Sequence, residues 1–207
     1  MNVEMFKNKK ILFLGPSKSS LDGFDFSEIN KWDLVVRTNK FLETEDNKNN
    51  INNKCDLLFI NSNCVKFYKN RSHKLEGKAV FVKLKSEKTY LQSKNKKLNI
   101  TDIEPEWNSI CRAFYPHQPY YGTAIIEYLK DKCDRLDIAG IDFYRSGFSD
   151  KKKYIEGYYD LTNLKKEESI HSIEKDVEYI KKILNNNKNV RLIHKTKQVF
   201  EEINYGK

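Results

Sequence analysis

The chain has 207 residues, of which 39% are apolar, 13% aromatic and 32% charged, and it carries a net charge of +9. That length and ring content fit one packed domain and exclude a disordered chain, and no apolar run approaches the roughly 20 residues that a membrane-spanning helix needs. Cys55, Cys64, Cys111 and Cys133 form no Cys-x-x-Cys pair and no histidine stands at metal-ligand spacing from them, which excludes a cysteine metal centre and predicts structural thiols in a reducing compartment.

Six short apolar runs follow in chain order, at 11–14, 34–36, 57–60, 79–82, 136–139 and 190–193. None alternates between apolar and polar, so each predicts a strand buried on both faces, as in a parallel sheet. Helical spacing falls between them, with Ile125, Ile126 and Leu129 in 123–132, and Ile173, Val177, Ile180 and Leu184 in 171–184. The alternation predicts an α/β fold, a Rossmann-like parallel sheet flanked by helices. Two stretches break the rhythm. Residues 84–120 are polar and hold Pro105, Pro116 and Pro119; residues 145–170 are rich in Tyr, Lys and Glu. Both are expected to be long loops, and the second a small lid-like insertion. The first ten residues, MNVEMFKNKK, are too polar for a signal peptide, which predicts a cytoplasmic protein. The Lys/Asn-rich runs NKNNINNK and LNNNKNV read as solvated surface.

Four places could carry chemistry. Gly15-Pro16-Ser17 ends the first strand, where a ligand of an open α/β sheet would sit; Gly15 would let it approach the backbone and Ser17 would offer a hydroxyl. Asn39 follows the second strand and can donate and accept hydrogen bonds. In PYYGTAIIEYLKDKCDRLDIAGIDFY, Tyr121, Gly122 and Thr123 open a helix whose unpaired N–H groups suit an anion, and Gly140, Asp142 and Tyr144 end the next strand. In IHSIEKDVEYIKKIL, His171 stands at the start of an amphipathic helix, whose positive end disfavours a second positive charge and keeps the imidazole able to accept a proton; Asp176 follows on the same helix. Taken singly, a strand-to-helix bend, a turn asparagine and a surface histidine are each the commoner reading.

Taken together and in order, the first strand running into Gly15-Pro16-Ser17, VVRTNKF, the glycine helix start with AGIDFY, and HSIEKD resemble the bacterial lipooligosaccharide sialyltransferases that use CMP-sialic acid (glycosyltransferase family 42), and more loosely the animal sialyltransferases (family 29). The resemblance covers roughly 10–42 and 119–200. It implies a single glycosyltransferase domain over 1–207, with His171 as general base, Asn39 on the nucleotide or its sugar, and Gly15, Ser17, Gly122 and Gly140 around CMP. Tyr144 and one of Tyr154, Tyr158 or Tyr159 would hydrogen-bond the leaving phosphate. The family's Asn before Gly-Pro-Ser is Leu14 here, its Ser before the helix glycine is Tyr121, and its Arg upstream of that Ser has no counterpart in HQPYYG.

The reaction implied is inverting transfer of sialic acid from CMP-sialic acid to a glycan or glycolipid hydroxyl. A nucleoside monophosphate leaving group offers no diphosphate for a metal to chelate, and the chain has no Asp-x-Asp clamp, so no cofactor or metal is expected. The basic surface suits an anionic donor and peripheral attachment at a membrane face. Alternatives are transfer of another CMP-linked keto-sugar acid such as Kdo, or a non-catalytic basic binding module. Nucleic acid is not expected, because that would place aromatics among Lys and Arg on a sheet face, whereas these strands are apolar throughout.

Overall fold

Strands that are apolar on both faces must be covered on both, and the computed structural model, which describes residues 3–39, 54–142 and 171–205, covers them that way. Seven parallel strands form one sheet: β1 (Lys10–Leu14), β2 (Leu34–Thr38), β3 (Leu57–Ile60), β4 (Ala79–Val82), β5 (Asn99–Asp102), β6 (Arg135–Ala139) and β7 (Val190–Leu192). The helices are α1 (Lys18–Leu21), α2 (Ser62–Phe67), α3 (Lys85–Lys94), α4 (Glu104–Phe114), α5 (Tyr121–Leu129), α6 (Ile173–Asn186) and α7 (His194–Tyr205). Ile11, Phe13, Val36, Phe59, Phe81 and Ile138 face one side, beneath Trp107, Ile110 and Phe114 of α4, Ile125 and Tyr128 of α5, and Val177 and Ile180 of α6. The other face divides in two. Leu58, Ile60, Val80 and Val82 pack with Cys64, Val65, Tyr68 and Leu91, while Leu12, Leu14 and Val35 pack with Phe24, Ile29 and Trp32.

The strand order is β5-β4-β3-β2-β1-β6-β7. The chain starts at β1, steps outward to β5, then returns to pair β6 against the other side of β1, Lys10 opposite Arg135 through Leu14 opposite Ala139. The direction of travel reverses between β1 and β6. In open parallel sheets such a reversal leaves a crevice at the carboxyl ends of the strands, because the flanking connections leave to opposite faces.

The stretch 84–120, expected as a long loop, is instead α3, β5 and α4. β5 is an edge strand in which only Ile100 is buried, and α3 buries only Glu87 and Leu91, so neither carries an apolar period. Pro105 sits in the first turn of α4, where its missing N–H breaks no helical bond. The apolar stripe of α6 also differs in detail: Ile183 is buried where Leu184 was expected, and Ile173 is 37% exposed. The cysteines are all thiols, and burial pushes Cys55 up to about 12 and Cys133 to about 11, which suits a packing role. No helix among the described residues is long and apolar enough to cross a membrane.

Candidate functional site

The crevice predicted by the topology exists. A cleft of about 690 Å³, counting its open mouth, lies at the carboxyl ends of β1, β2 and β6. Gly15, Pro16 and Ser17 after β1, with Thr38 at the end of β2 and Asn39 just after it, line one side; Gly140, Ile141 and Asp142 after β6 line the next. Tyr120 to Thr123 at the start of α5, with Ile173 and Asp176 of α6, complete the wall. All eight residues assigned to the nucleotide from sequence (Gly15, Ser17, Asn39, Tyr121, Gly122, Thr123, Gly140 and Asp142) are therefore in one cleft. Tyr144 and Tyr158, with Tyr154, Tyr159 and the lid-like 145–170, lie outside the described residues.

Several of these residues have local duties the sequence did not reveal. Gly140 has φ +73°, and a Cβ there would stand 2.5 Å from the carbonyl oxygen of Gly15; a Cβ on Gly15 would stand 2.4 Å from that of Gly140. The two turns press backbone against backbone, and each glycine makes room for the other. The ladder continues through them, Gly15 N–H to Ala139 O at 2.8 Å and Ser17 N–H to Gly140 O at 2.9 Å. Ser17 is buried, and its hydroxyl caps α1 by accepting from the Ser20 N–H. Asn39, at φ +53°, accepts the Asn61 N–H on Oδ1 at 3.0 Å, which fixes its amide and leaves Nδ2 as its donor. The Tyr121 hydroxyl donates to Ile60 O at 3.0 Å, spanning from α5 to the end of β3. Gly122 differs from the other two glycines. A Cβ there would make only ordinary contacts, 3.8 Å from Ile141 and 3.9 Å from Phe13, both of which line the cleft.

The start of α5 has no side-chain cap of its own. Asp176, from α6, supplies one. The N–H of the cap residue Tyr120 donates to its two oxygens at 3.1 and 3.4 Å, and the Thr123 hydroxyl donates to it as well. Asp176 is 3% exposed, and burial pushes its carboxyl up to about 7 against those two hydrogen bonds. The folded protein therefore keeps a proton that the unfolded chain gives up near pH 4 (about 3.9 for a free Asp). Its contribution to stability is full below about pH 4, falls as the pH rises, and is gone above about pH 7. Asp176→Asn, which stays neutral and can still accept from Tyr120, is expected to remove this slope and raise Tm at pH 8 by roughly 5–10 °C, for about 2–4 kcal/mol. Thermal unfolding at pH 5 and pH 8 checks it, and equal Tm differences at both would refute the assignment.

His171 is two residues ahead of α6, just before its cap Ser172, rather than within the first turn. It is beside the cleft wall, not among the residues that line the cleft. Its Nδ1 is 2.8 Å from the Gln118 carbonyl oxygen, and its ring stacks on Tyr120 with centroids 4.4 Å apart and planes 17° from parallel. A carbonyl only accepts, so Nδ1 carries the hydrogen, and in the neutral ring the lone pair is on Nε2. His194 follows β7 at φ +52° and packs edge-on against Phe24 at 5.1 Å, away from this constellation. Tyr120 and Asp176 were not among the assigned site residues. The signal for both was present: a helix starting at PYYG with no capping side chain requires a partner from elsewhere. Among the described residues no group of three or more His, Cys, Asp or Glu could hold a metal ion.

This sheet, with its cleft at the β1–β6 reversal, is a fold that occurs in sialyltransferases of known structure. A mammalian sialyltransferase superposes with a TM-score of 0.58 at 14% identity, over 90% of this chain and 69% of that one. A mammalian sialyltransferase in complex with Gal-beta-1-3GalNAc-ortho-nitrophenol gives 0.59 at 13% identity, over 93% and 72%. The sialyltransferase CstII from Campylobacter jejuni, in complex with a substrate analogue, cytidine-5'-monophosphate, gives 0.58 at 14% identity, over 90% and 81%. No protein-family model matches the chain, and no curated protein sequence matches it. The likeness in fold extends through the middle third of the chain, where no sequence motif pointed to it.

Proposed function

We propose that the protein is an inverting, metal-independent glycosyltransferase that moves sialic acid from CMP-sialic acid to a glycan hydroxyl. The observation that carries this reading is the meeting of four separated motifs in one cleft, beside an imidazole whose Nδ1 is committed to Gln118 O. His171 Nε2 takes the proton of the acceptor hydroxyl as that oxygen attacks the anomeric carbon. The bond from that carbon to the phosphate oxygen breaks on the opposite side, and CMP leaves with the electron pair. Attack opposite the leaving group inverts the centre in one step. On this reading Asn39 Nδ2 and the first N–H groups of α5 donate to the nucleotide and to the charge that grows on its phosphate. A monophosphate leaving group needs no chelating ion, and the chain has no Asp-x-Asp. The net charge of +9 favours an anionic donor, and a cytoplasmic location with peripheral attachment at a membrane face belongs to the same proposal.

A nucleotide thermal-shift series tests it. CMP is expected to raise Tm more than UDP or GDP at equal concentration, since only a ligand of the folded state stabilises it. A larger shift with UDP would overturn the donor assignment. CMP-sialic acid and CMP-Kdo in the same series separate the two keto-sugar acids. EDTA is expected to leave the transfer rate unchanged, and a strict divalent-ion requirement in the same assay would overturn the metal-independent reading.

A further inference from the structure

We propose that Tyr120 is the positioning residue of the His171 imidazole, its ring setting the plane in which that base presents Nε2. The proposal rests on the reading of His171 as the base and adds the device that holds it. The hydrogen bond from Nδ1 to Gln118 O fixes one edge of the imidazole, and the Tyr120 ring, 4.4 Å away and 17° from parallel, bounds the plane in which the rest of it lies.

Tyr120 is itself held from two directions. Two residues ahead of it, Gln118 pairs with His171 in a parallel backbone bridge. Its own N–H is fixed by Asp176, whose N–H in turn bonds to Ser172 O, 3.1 Å away. Segments 118–120 and 171–176 are thus clamped at both ends, by a carbonyl and ring stack at one and an amide and carboxylate at the other. Tyr120 is 6% exposed and lines the cleft, so the ring that orders the imidazole is also part of the wall that faces a ligand. Placement of a base within a fraction of an ångström matters because a displacement near 1 Å costs about 10²-fold in rate.

Nitrogen-15 NMR of the imidazoles in the full chain reads the arrangement without any activity. The expected result for His171 is a single Nδ1–H tautomer, with its carbon-bound ring protons moved upfield by the Tyr120 ring. Unshifted ring protons or mixed tautomers in the unmodified protein would overturn the proposal. Tyr120→Leu is expected to mix the tautomers, to lower kcat by about 10-fold to 10²-fold, and to move the acid limb of the pH–rate profile. Tyr120→Phe, which keeps the flat face, is expected to restore the single tautomer. Tyr120→Met fills the same space without a flat face and serves if the leucine variant does not fold. A Leu or Met variant with the original tautomer and kcat would refute the positioning role. Failure of the base reading shows differently: His171→Ala would retain full transfer while the NMR result still stood.

Discussion

Replacing His171 with alanine is expected to lower transfer by about 10²–10⁴-fold while the protein still responds to CMP. The imidazole is outside the residues that line the cleft, so its removal takes away the proposed proton acceptor and leaves every cleft-lining residue present. The variant also loses the Gln118 hydrogen bond and the Tyr120 stack. Those are worth about 1 kcal/mol each, so a Tm some degrees lower is expected in the absence of ligand. The increment produced by CMP is therefore the quantity to compare, not the absolute Tm. Turnover of CMP-sialic acid with a glycan acceptor, beside that increment, checks both halves. Full activity in His171→Ala would remove the base. Loss of the CMP increment together with activity would mean that the histidine helps bind the nucleotide.

Gly140→Ala is expected to cost about 3–5 kcal/mol, enough to lower Tm by roughly 10 °C or more. Two effects add. The backbone is at φ +73°, where a side chain is strained, and the new Cβ would meet Gly15 O at 2.5 Å and Gly15 C at 3.1 Å. Neither neighbour can rotate away, since both are main chain inside a hydrogen-bonded ladder. Gly122→Ala is the contrast. Its Cβ would have 3.8 Å to its nearest neighbour and sits in a helix, where alanine is favoured over glycine. Its Tm is expected to stay within about 2 °C, while the added methyl narrows the cleft and weakens the CMP increment. Denaturation curves and nucleotide titrations of the two variants check the pair. A well-folded Gly140→Ala protein with original stability would show that the backbone contact is not tight.

How much of this was legible in the sequence depends on where each residue sits. Leu57–Ile60 and Ala79–Val82 announce themselves because central parallel strands are apolar on both faces. Asn99–Asp102 does not, because an edge strand with one buried residue looks like any polar segment. Glu104–Phe114 carries Trp107, Ile110 and Phe114 at helical spacing, but Pro105 made it read as loop, although proline is tolerated in a first turn. The cleft-lining residues were visible because a switch-point cleft draws its lining from strand ends and helix starts, which small and polar residues mark. What those residues do to one another was not. Gly15 with Gly140, and Tyr120 with His171, meet across long stretches of chain, and nothing in either local pattern names its partner.

The order in which the strands are laid down has a consequence for synthesis. As the chain leaves the ribosome, β1 to β5, five of the seven strands, can pair in sequence, yet β1 then has one side bare until β6 arrives. Every wall of the cleft beyond Asn39 comes from residue 120 or later. A nascent chain that ends before residue 120 therefore holds five of the seven strands but only the part of the cleft lining that lies between Phe13 and Asn39, with the unpaired edge of β1 exposed to whatever holds newly made chains in solution.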